Sequence, residues 1–454
     1  MTTVTNDFLV ENVQNSGLYY GFTILVAATV GRIITAPGQS ACIGKAIYPI
    51  GESLGVTPEQ ILGQYYKGTM FSSAALLTLG PVIDKLGPRK CVVASALGLA
   101  YGCYCLAQVQ SIEGLLLPFF ALRFFGQGVL MSLSVVQINY WWIKRRNVML
   151  GFSGACLSLG MLVLVPGLMD YSIASVNWRQ TYTRMALMCV VITTPWGFLW
   201  YRGRPEEYGV QPDGKVSSKA LQAPESWTPC EALCTCSFWI FAFAQLSMAI
   251  TYEGFWFYFE FIFDDALLGD DMQSFMKTFM VGSMVVSQIA SDFILDRVQA
   301  RSVMVRALIM SAASLVLACT MFSEDSGRLA AFLVGALSSV SMSLSLTVFS
   351  VVYASYFGRK HLGAIQTVAN SFTMFGYAIG PYMWGVLRES TGVYSPGFAS
   401  GALLQVLCAF AVYCGGAPPL RKAQEDGYMA VSSVDNEEDE NTGDVEESTR
   451  RNEQ

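Results

Sequence analysis

Three cations and one carboxylate stand where side chains of their kind are rare. Arg32, Lys67, Arg123 and Glu253 each fall well inside a stretch of otherwise apolar residues. An ionised group at the centre of a bilayer costs about 2.5–3.5 kcal/mol on insertion scales, so such residues face a wet cavity or a partner. Counted at ~1.5 Å per residue from the ends of their runs, the three cations lie at or beyond the middle of the membrane, toward the same side. There they would line an electropositive pocket for a small anion, the planar Arg fork matching a carboxylate and Lys acting as a mobile point charge. Arg123 has a second reading, in which its guanidinium ties its helix to backbone carbonyls of neighbouring helices. Glu253 either pairs with Arg32 or shuttles a proton against substrate. Glu260 lies seven residues on, on the same helix face two turns away, and reads as a solvated rim residue. Gln366 and Asn370, one turn apart, either face the same pathway or bond to an adjacent helix.

The elements that must position these residues are membrane helices. Of the 454 residues 53% are hydrophobic and only 14% charged, against roughly 45–50% and 25% for a soluble domain. Uncharged apolar runs cover 91 to 112, 124 to 143 (extended back through Arg123 to 114), 147 to 169, 232 to 252, 329 to 358, 362 to 387 and 398 to 420. Shorter or charge-interrupted runs cover 18 to 41, 60 to 83, 181 to 201, 274 to 291 and 307 to 322. Most approach or exceed the ~20 residues that an α-helix needs to cross hydrocarbon, and no period-2 alternation suggests a membrane barrel. The expectation is an all-α membrane protein with twelve spans. Thr57-Pro58-Glu59-Gln60 reads as a cap, a first-turn proline and a capping-box glutamine that start the second span.

The formal charge of −6 conceals two regions: residues 423 to 454 carry 11 acidic residues and two Arg, a balance of −9, which leaves +3 for the rest. The acidic run Asp435 to Glu447 is expected to be disordered. With the N-terminus inside, the inner loops hold fifteen Lys and Arg and the outer loops six. Both termini are therefore expected in the cytoplasm, with helix one as an uncleaved anchor. The predicted organisation is an N-terminal segment 1–17, a six-helix half 18–201, a central loop 202–236, a second half 237–420 and an acidic tail 421–454.

The two halves repeat. Gly80-Pro-Val-Ile-Asp84-Lys85-Leu-Gly87-Pro-Arg89-Lys90 follows the second span, and Asp292-Phe-Ile-Leu-Asp296-Arg297-Val-Gln-Ala-Arg301 the eighth; Asp84 and Asp296 are 212 residues apart. Trp141-Trp142-Ile-Lys144-Arg145-Arg146 and Tyr356-Phe357-Gly-Arg359-Lys360-His361 recur at an offset of 215. Two unrelated signatures at nearly one offset argue for a parallel duplication. The first loop is similar to the signature of the major facilitator superfamily, and Arg123-Phe-Phe-Gly126-Gln-Gly128 resembles that family's helix-four motif with Gly and Gln exchanged. Within the superfamily, Trp141 to Ala155 resembles the monocarboxylate-porter signature entering helix five. Arg204-Pro-Glu-Glu-Tyr-Gly209-Val-Gln-Pro-Asp213-Gly214 resembles the central loop of oxalate/formate-antiporter-like members. The resemblance implies alternating access about a central site, secondary transport of a small organic anion such as a monocarboxylate, and a gate at the inner mouth built from Asp84, Lys85, Arg89, Asp296, Arg297 and Arg301. Helix eight lacks the Asp and Arg that monocarboxylate porters use, so proton coupling does not follow; a proton or a counter-anion would couple.

Other chemistry is thin. His361 is the one histidine and reads as a loop residue. Cys230, Cys234 and Cys236 cluster without a second ligand pair, so zinc is a poor reading. No nucleotide-binding or catalytic motif, cofactor signature or nucleic-acid patch is evident, which argues for a monomeric carrier driven by gradients rather than an enzyme. Rival readings are a carrier of neutral or zwitterionic solutes, and a non-transporting receptor or scaffold on the same fold.

Overall fold

In the computed structural model, residues 7–15, 18–213, 226–266, 270–322 and 327–419 are described. The acidic tail from 420 onward, Lys215 and Lys219 lie outside the described residues, as do the side chains of Asp84 and Glu260. Every regular element among the described residues is helical.

A short helix, α1 (Phe8–Asn15), precedes the first span, which is built from α2 (Tyr20–Ile34), a 3-10 turn (Ala36–Gly38) and α3 (Ser40–Leu54). The break falls at Pro37, which has no N–H to continue a helical ladder. Gly38 makes the break compact: a Cβ there would stand 2.2 Å from the backbone oxygen of Leu122. The second and third spans are α4 (Pro58–Leu86) and α5 (Pro88–Ala107). Thr57 caps α4 as the sequence predicts: its hydroxyl accepts from the Gln60 N–H at 3.4 Å, and Gln60 Oε1 accepts from the Thr57 N–H at 3.1 Å.

Spans four to six each contain a π-helical segment. The fourth runs α6 (Leu116–Ala121), π-helix Leu122–Leu130 and α7 (Met131–Trp141). The fifth runs α8 (Arg146–Leu159), Gly160–Leu164 and α9 (Val165–Val176); the sixth runs α10 (Trp178–Met188), Cys189–Thr193 and α11 (Thr194–Trp200). The widened turns leave carbonyls without the usual partner and commonly occur at functional sites. The linker carries α12 (Pro229–Leu233). The second set comprises α13 (Cys236–Phe257) with α14 (Phe259–Asp265), α15 (Asp270–Leu295), α16 (Ala300–Ala318), α17 (Gly327–Phe357), α18 (Leu362–Thr391) and α19 (Ser395–Gly415). Twelve helical paths in two sets of six result, and among the described residues six of them contain a helix long and apolar enough to cross a membrane.

The two sets meet along α4 against α18 and α8 against α15. Gly80 on α4 permits the first contact, because a Cβ there would lie 2.7 Å from the Cα of Ala364. Outward faces carry large exposed apolar residues such as Phe71, Leu168, Phe293 and Phe410, as expected of surfaces that meet lipid chains rather than water.

The N-terminal segment is more than a loose extension. Asp7 forms an ion pair with Arg202 at 2.8 Å, and that guanidinium is 1% exposed. Val10 on α1 is buried. Removing one partner of a buried pair leaves the other charge uncompensated, at a cost of ~3 kcal/mol or more. Asp7→Asn is therefore expected to lower the melting temperature in detergent by several degrees, measured by intrinsic fluorescence; an unchanged transition would show that the pair contributes nothing.

Candidate functional site

A cavity of about 220 Å³ lies between the two sets. α2 contributes Arg32, the π-helix contributes Gln127, α8 contributes Gly154, α15 contributes Gln288, and α18 contributes Gln366, Asn370 and Tyr377. Five methionines, at 131, 161, 248, 284 and 342, supply a soft apolar wall. Arg32 is the one charged residue among the described residues of the lining. It is 6% exposed, and its Nη1 donates to Ser153 Oγ at 3.0 Å while Nε finds no protein partner. No ion pair to Arg32 occurs among the described residues.

Arg123 sits beside this cavity rather than in it. Its Nη1 donates to Gly38 O at 3.1 Å, to Gln127 Oε1 at 3.1 Å and to Ser40 Oγ at 3.4 Å. The Gly38 carbonyl is exposed by the break at Pro37, so the guanidinium caps the backbone that the break leaves open. Tyr65 and Tyr377 flank it, with ring centres 5.3 and 5.7 Å away. Glu253 on α13 faces Ser40 and lies within electrostatic reach of Arg123. Glu253 thus belongs to the Arg123 cluster and not to a pair with Arg32.

Lys67 departs from the expected pathway. It is exposed on α4, in line with Phe71, Ala74 and Thr78, which are also exposed. Tyr65, Gly68, Thr69 and Ser72 occupy the inward face. Depth along a helix says nothing about which face a residue takes, and a long Lys stem near a helix end reaches the membrane surface.

The two ends of the cavity are bordered by different contacts. At the end remote from the basic loops, Tyr66 of α4 stacks on Tyr382 of α18 at 5.3 Å. At the basic end, Arg359 donates to the Tyr140 carbonyl at 2.6 Å and pairs with Glu206. Arg146 reaches Ser355 Oγ at 3.3 Å, Asn139 donates to Ser350 O at 2.9 Å, and Asn147 donates to Asp296 Oδ1 at 2.8 Å. Arg204 adds a bond to the Lys360 carbonyl. The central loop is anchored by Asp213, whose carboxylate accepts from the N–H groups of Ile143 and Lys144 at 2.9 and 2.7 Å.

This arrangement corrects the expected gate. Of its five residues whose side chains are described, Asp296 bridges the sets. Arg89 donates to Phe198 O at 2.6 Å, within the first set. Arg301 packs over the Tyr413 ring at 5.5 Å, within the second. Lys85 and Arg297 are exposed, and the Asp84 side chain lies outside the described residues. The closing contacts come instead from the second repeated signature, around Trp141 to Arg146 and Tyr356 to His361. Sequence reasoning used that signature to find the duplication without assigning it this work. It also missed Gln39, Gln127 and Gln245 as cavity residues.

A sequence profile of the Major Facilitator Superfamily matches residues 33–267 and again 241–433. The chain belongs to the Major Facilitator Superfamily. It is thereby an integral, multi-pass membrane protein. A "probable L-galactonate transporter" of Escherichia coli (strain K12) is 26% identical over 162 residues, 34% of each chain. The oxalate:formate antiporter of Oxalobacter formigenes is 21% identical over 182 residues, 39% of this chain and 43% of that one. These matches span less than half the length of either relative. Among solved structures, the human organic anion transporter MFSD10 (TETRAN) superposes with a TM-score of 0.64 at 15% identity, over 86% of this chain and 99% of that one. The proton:xylose symporter XylE, bound to 6-bromo-6-deoxy-D-glucose, gives 0.63 at 11% identity, over 88% and 96%.

Hydrogen bonds to a charged group contribute roughly 1.5–3 kcal/mol each. Arg359→Leu, which removes the donor to Tyr140 O and Glu206, is expected to shift the two-state balance toward opening at the basic end by roughly tenfold or more. Alkylation of a Ser132→Cys reporter, added in the background of the variant and of the parent, reads that shift; equal rates from the basic side would remove Arg359 from the gate.

Proposed function

We propose that this chain is a secondary active transporter of a small organic anion such as a monocarboxylate, working by alternating access with Arg32 as the anion-binding group. One observation carries the reading. A guanidinium more than nine-tenths buried lines the central cavity with Nε unpartnered and no carboxylate beside it among the described residues. A carboxylate on the solute would supply the missing charge and bond the planar fork. Two relatives, a probable L-galactonate transporter and an oxalate:formate antiporter, support the same reading. The cavity is smaller than the roughly 300–1,000 Å³ of pockets for drug-sized ligands, which suits a compact solute.

In this mechanism the basic end is cytoplasmic, as are both termini, and the chain acts as a monomer. The contacts of Arg359, Arg146 and Asn147 shut the inner mouth, and the Tyr66–Tyr382 stack the outer one. Arg123, Gln366, Asn370 and Glu253 support the site around Arg32. An empty, water-poor cavity would leave Arg32 without a counter-charge, so the halves pass through the closed state more readily with an anion bound. Exchange of one anion for another follows as the favoured mode, with Glu253 as the residue on which proton coupling would rest.

Uptake of labelled monocarboxylates, dicarboxylates, amino acids and sugars by reconstituted vesicles, with and without a pH gradient, tests the reading. Carboxylate uptake is expected, accelerated by unlabelled carboxylate inside the vesicle. Arg32→Gln is expected to lower it on the order of 100-fold, the effect of losing about two charge-assisted hydrogen bonds. Lys67→Gln is expected to leave it unchanged. Uptake confined to neutral solutes would overturn the anion assignment.

A further inference from the structure

The amides around the cavity are not free to present either end to a solute, because their protein partners decide which end is left. Gln39 contacts Thr35, whose hydroxyl proton is already given to the Arg32 carbonyl at 2.6 Å. Thr35 Oγ1 can therefore only accept, and Gln39 offers it Nε2 at 2.8 Å, keeping Oε1 unspent. Asn370 meets the Gly128 carbonyl at 3.3 Å, which accepts and never donates. Its Nδ2 is therefore committed there and to Ser132 Oγ at 2.9 Å, and Oδ1 is left. Gln288 meets Thr347, whose proton goes to Ser343 O at 3.1 Å or to Ser291 Oγ at 2.7 Å. The Gln288 Nε2 serves Thr347, and its Oε1 has no partner, in a residue 3% exposed.

Two other amides are fixed the opposite way. Gln127 Oε1 accepts from Arg123, and Gln245 Oε1 accepts from Tyr353 OH at 3.2 Å, so each keeps its NH2 group. All five residues line the cavity. Gln366 Oε1 and the hydroxyls of Ser345 and Thr373, which also line the cavity, have no partner either, so the unspent polar set comprises four amide oxygens that need donors, two NH2 groups that need acceptors, two hydroxyls and the Arg32 guanidinium.

A bare carboxylate satisfies only part of this set. Acetate, propionate or ionised oxalate carries no donor, so the amide oxygens would stay unpaired or face its negative charge. An ammonium would provide donors, but no carboxylate lines the cavity among the described residues to balance it. Hydroxyl groups satisfy both kinds, donating to the oxygens and accepting from the NH2 groups. We infer that the solute is a hydroxylated carboxylate, its carboxylate on Arg32 and its hydroxyls shared among Gln39, Gln288 and Asn370 as acceptors and Gln127 and Gln245 as donors. The inference rests on the anion reading of the same site and narrows it.

Sites built to hydrogen-bond a hydroxyl discriminate strongly against the analogue that lacks it, because the site's own groups are then left unpaired. The test uses the full chain in proteoliposomes with two pairs matched in carbon number: propionate against glycerate, and hexanoate against gluconate. At least one hydroxylated member is expected to exceed its partner in kcat/KM by about tenfold or more, and to raise the melting temperature of the detergent-purified protein where its partner does not. Transport of both propionate and hexanoate as fast as their hydroxylated partners overturns this inference while leaving the anion reading standing. Failure of every carboxylate to be transported overturns both. Gln288→Met, which keeps length and removes the acceptor, is expected to bring the hydroxyl preference toward unity through KM. Asn370→Leu provides the same readout should the first variant not fold, and a preference unchanged in a folded variant counts against the assignment of that amide.

Discussion

A charged guanidinium inside a bilayer needs hydrogen-bond acceptors that hydrocarbon does not provide, and Arg123 finds them at a helix break. Pro37 interrupts the first span, Gly38 allows the broken chain to approach the Leu122 backbone, and Arg123 Nη1 bonds the Gly38 carbonyl that results. The π-helical segment Leu122–Leu130 carries both Arg123 and Gln127, so the same guanidinium that caps the first span also fixes the Gln127 amide. Through Tyr377 and Glu253 the cluster reaches the second set of helices. One cation therefore ties a helix break, a cavity amide and the junction between halves together, which is why its position beside the cavity matters more than a position in it.

The junction is asymmetric for a physical reason. At the basic end the contacts are charged or directional: Arg359 to a carbonyl and a carboxylate, Arg146 to a hydroxyl, Asn147 to Asp296. Such bonds are individually strong but solvated once separated, so water recovers much of their energy when they part. The opposite end relies on stacked Tyr66 and Tyr382 rings, which lose apolar contact on parting and recover less. The backbone of α4 against α18 at Gly80 and Ala364 gives these contacts a close, rigid support.

Much of the fold was legible because hydrocarbon imposes a length and a polarity on every span. The apolar runs, the capping box at Thr57 and the duplicated loops all translate directly into elements. The helix interruptions were less legible: Pro37 and Gly38 announce one, but nothing in an apolar run distinguishes the π-helical segments at Gly160–Leu164 and Cys189–Thr193. The site was legible in residue type and not in arrangement. Arg32, Gln366 and Asn370 could be named from their rarity in apolar surroundings, whereas Lys67, equally rare, faces outward, because its helix face depends on what α4 packs against. The contact of Arg359 between the sets was not legible, since it bonds the carbonyl of Tyr140, and a backbone acceptor leaves no mark in sequence.

The preference for amides over charges in the cavity follows from what a rocking carrier must do. Each charge added to the lining would have to be solvated when the site opens and compensated when it closes, at several kcal/mol per buried ion. An amide left unpaired costs only about 1–3 kcal/mol and is satisfied equally by water in the open state and by a hydroxyl in the closed one. A single buried cation with a ring of pre-oriented amides therefore confines the penalty to one group, Arg32. In the proposed mechanism the solute's carboxylate removes that penalty, and the amides select among anions.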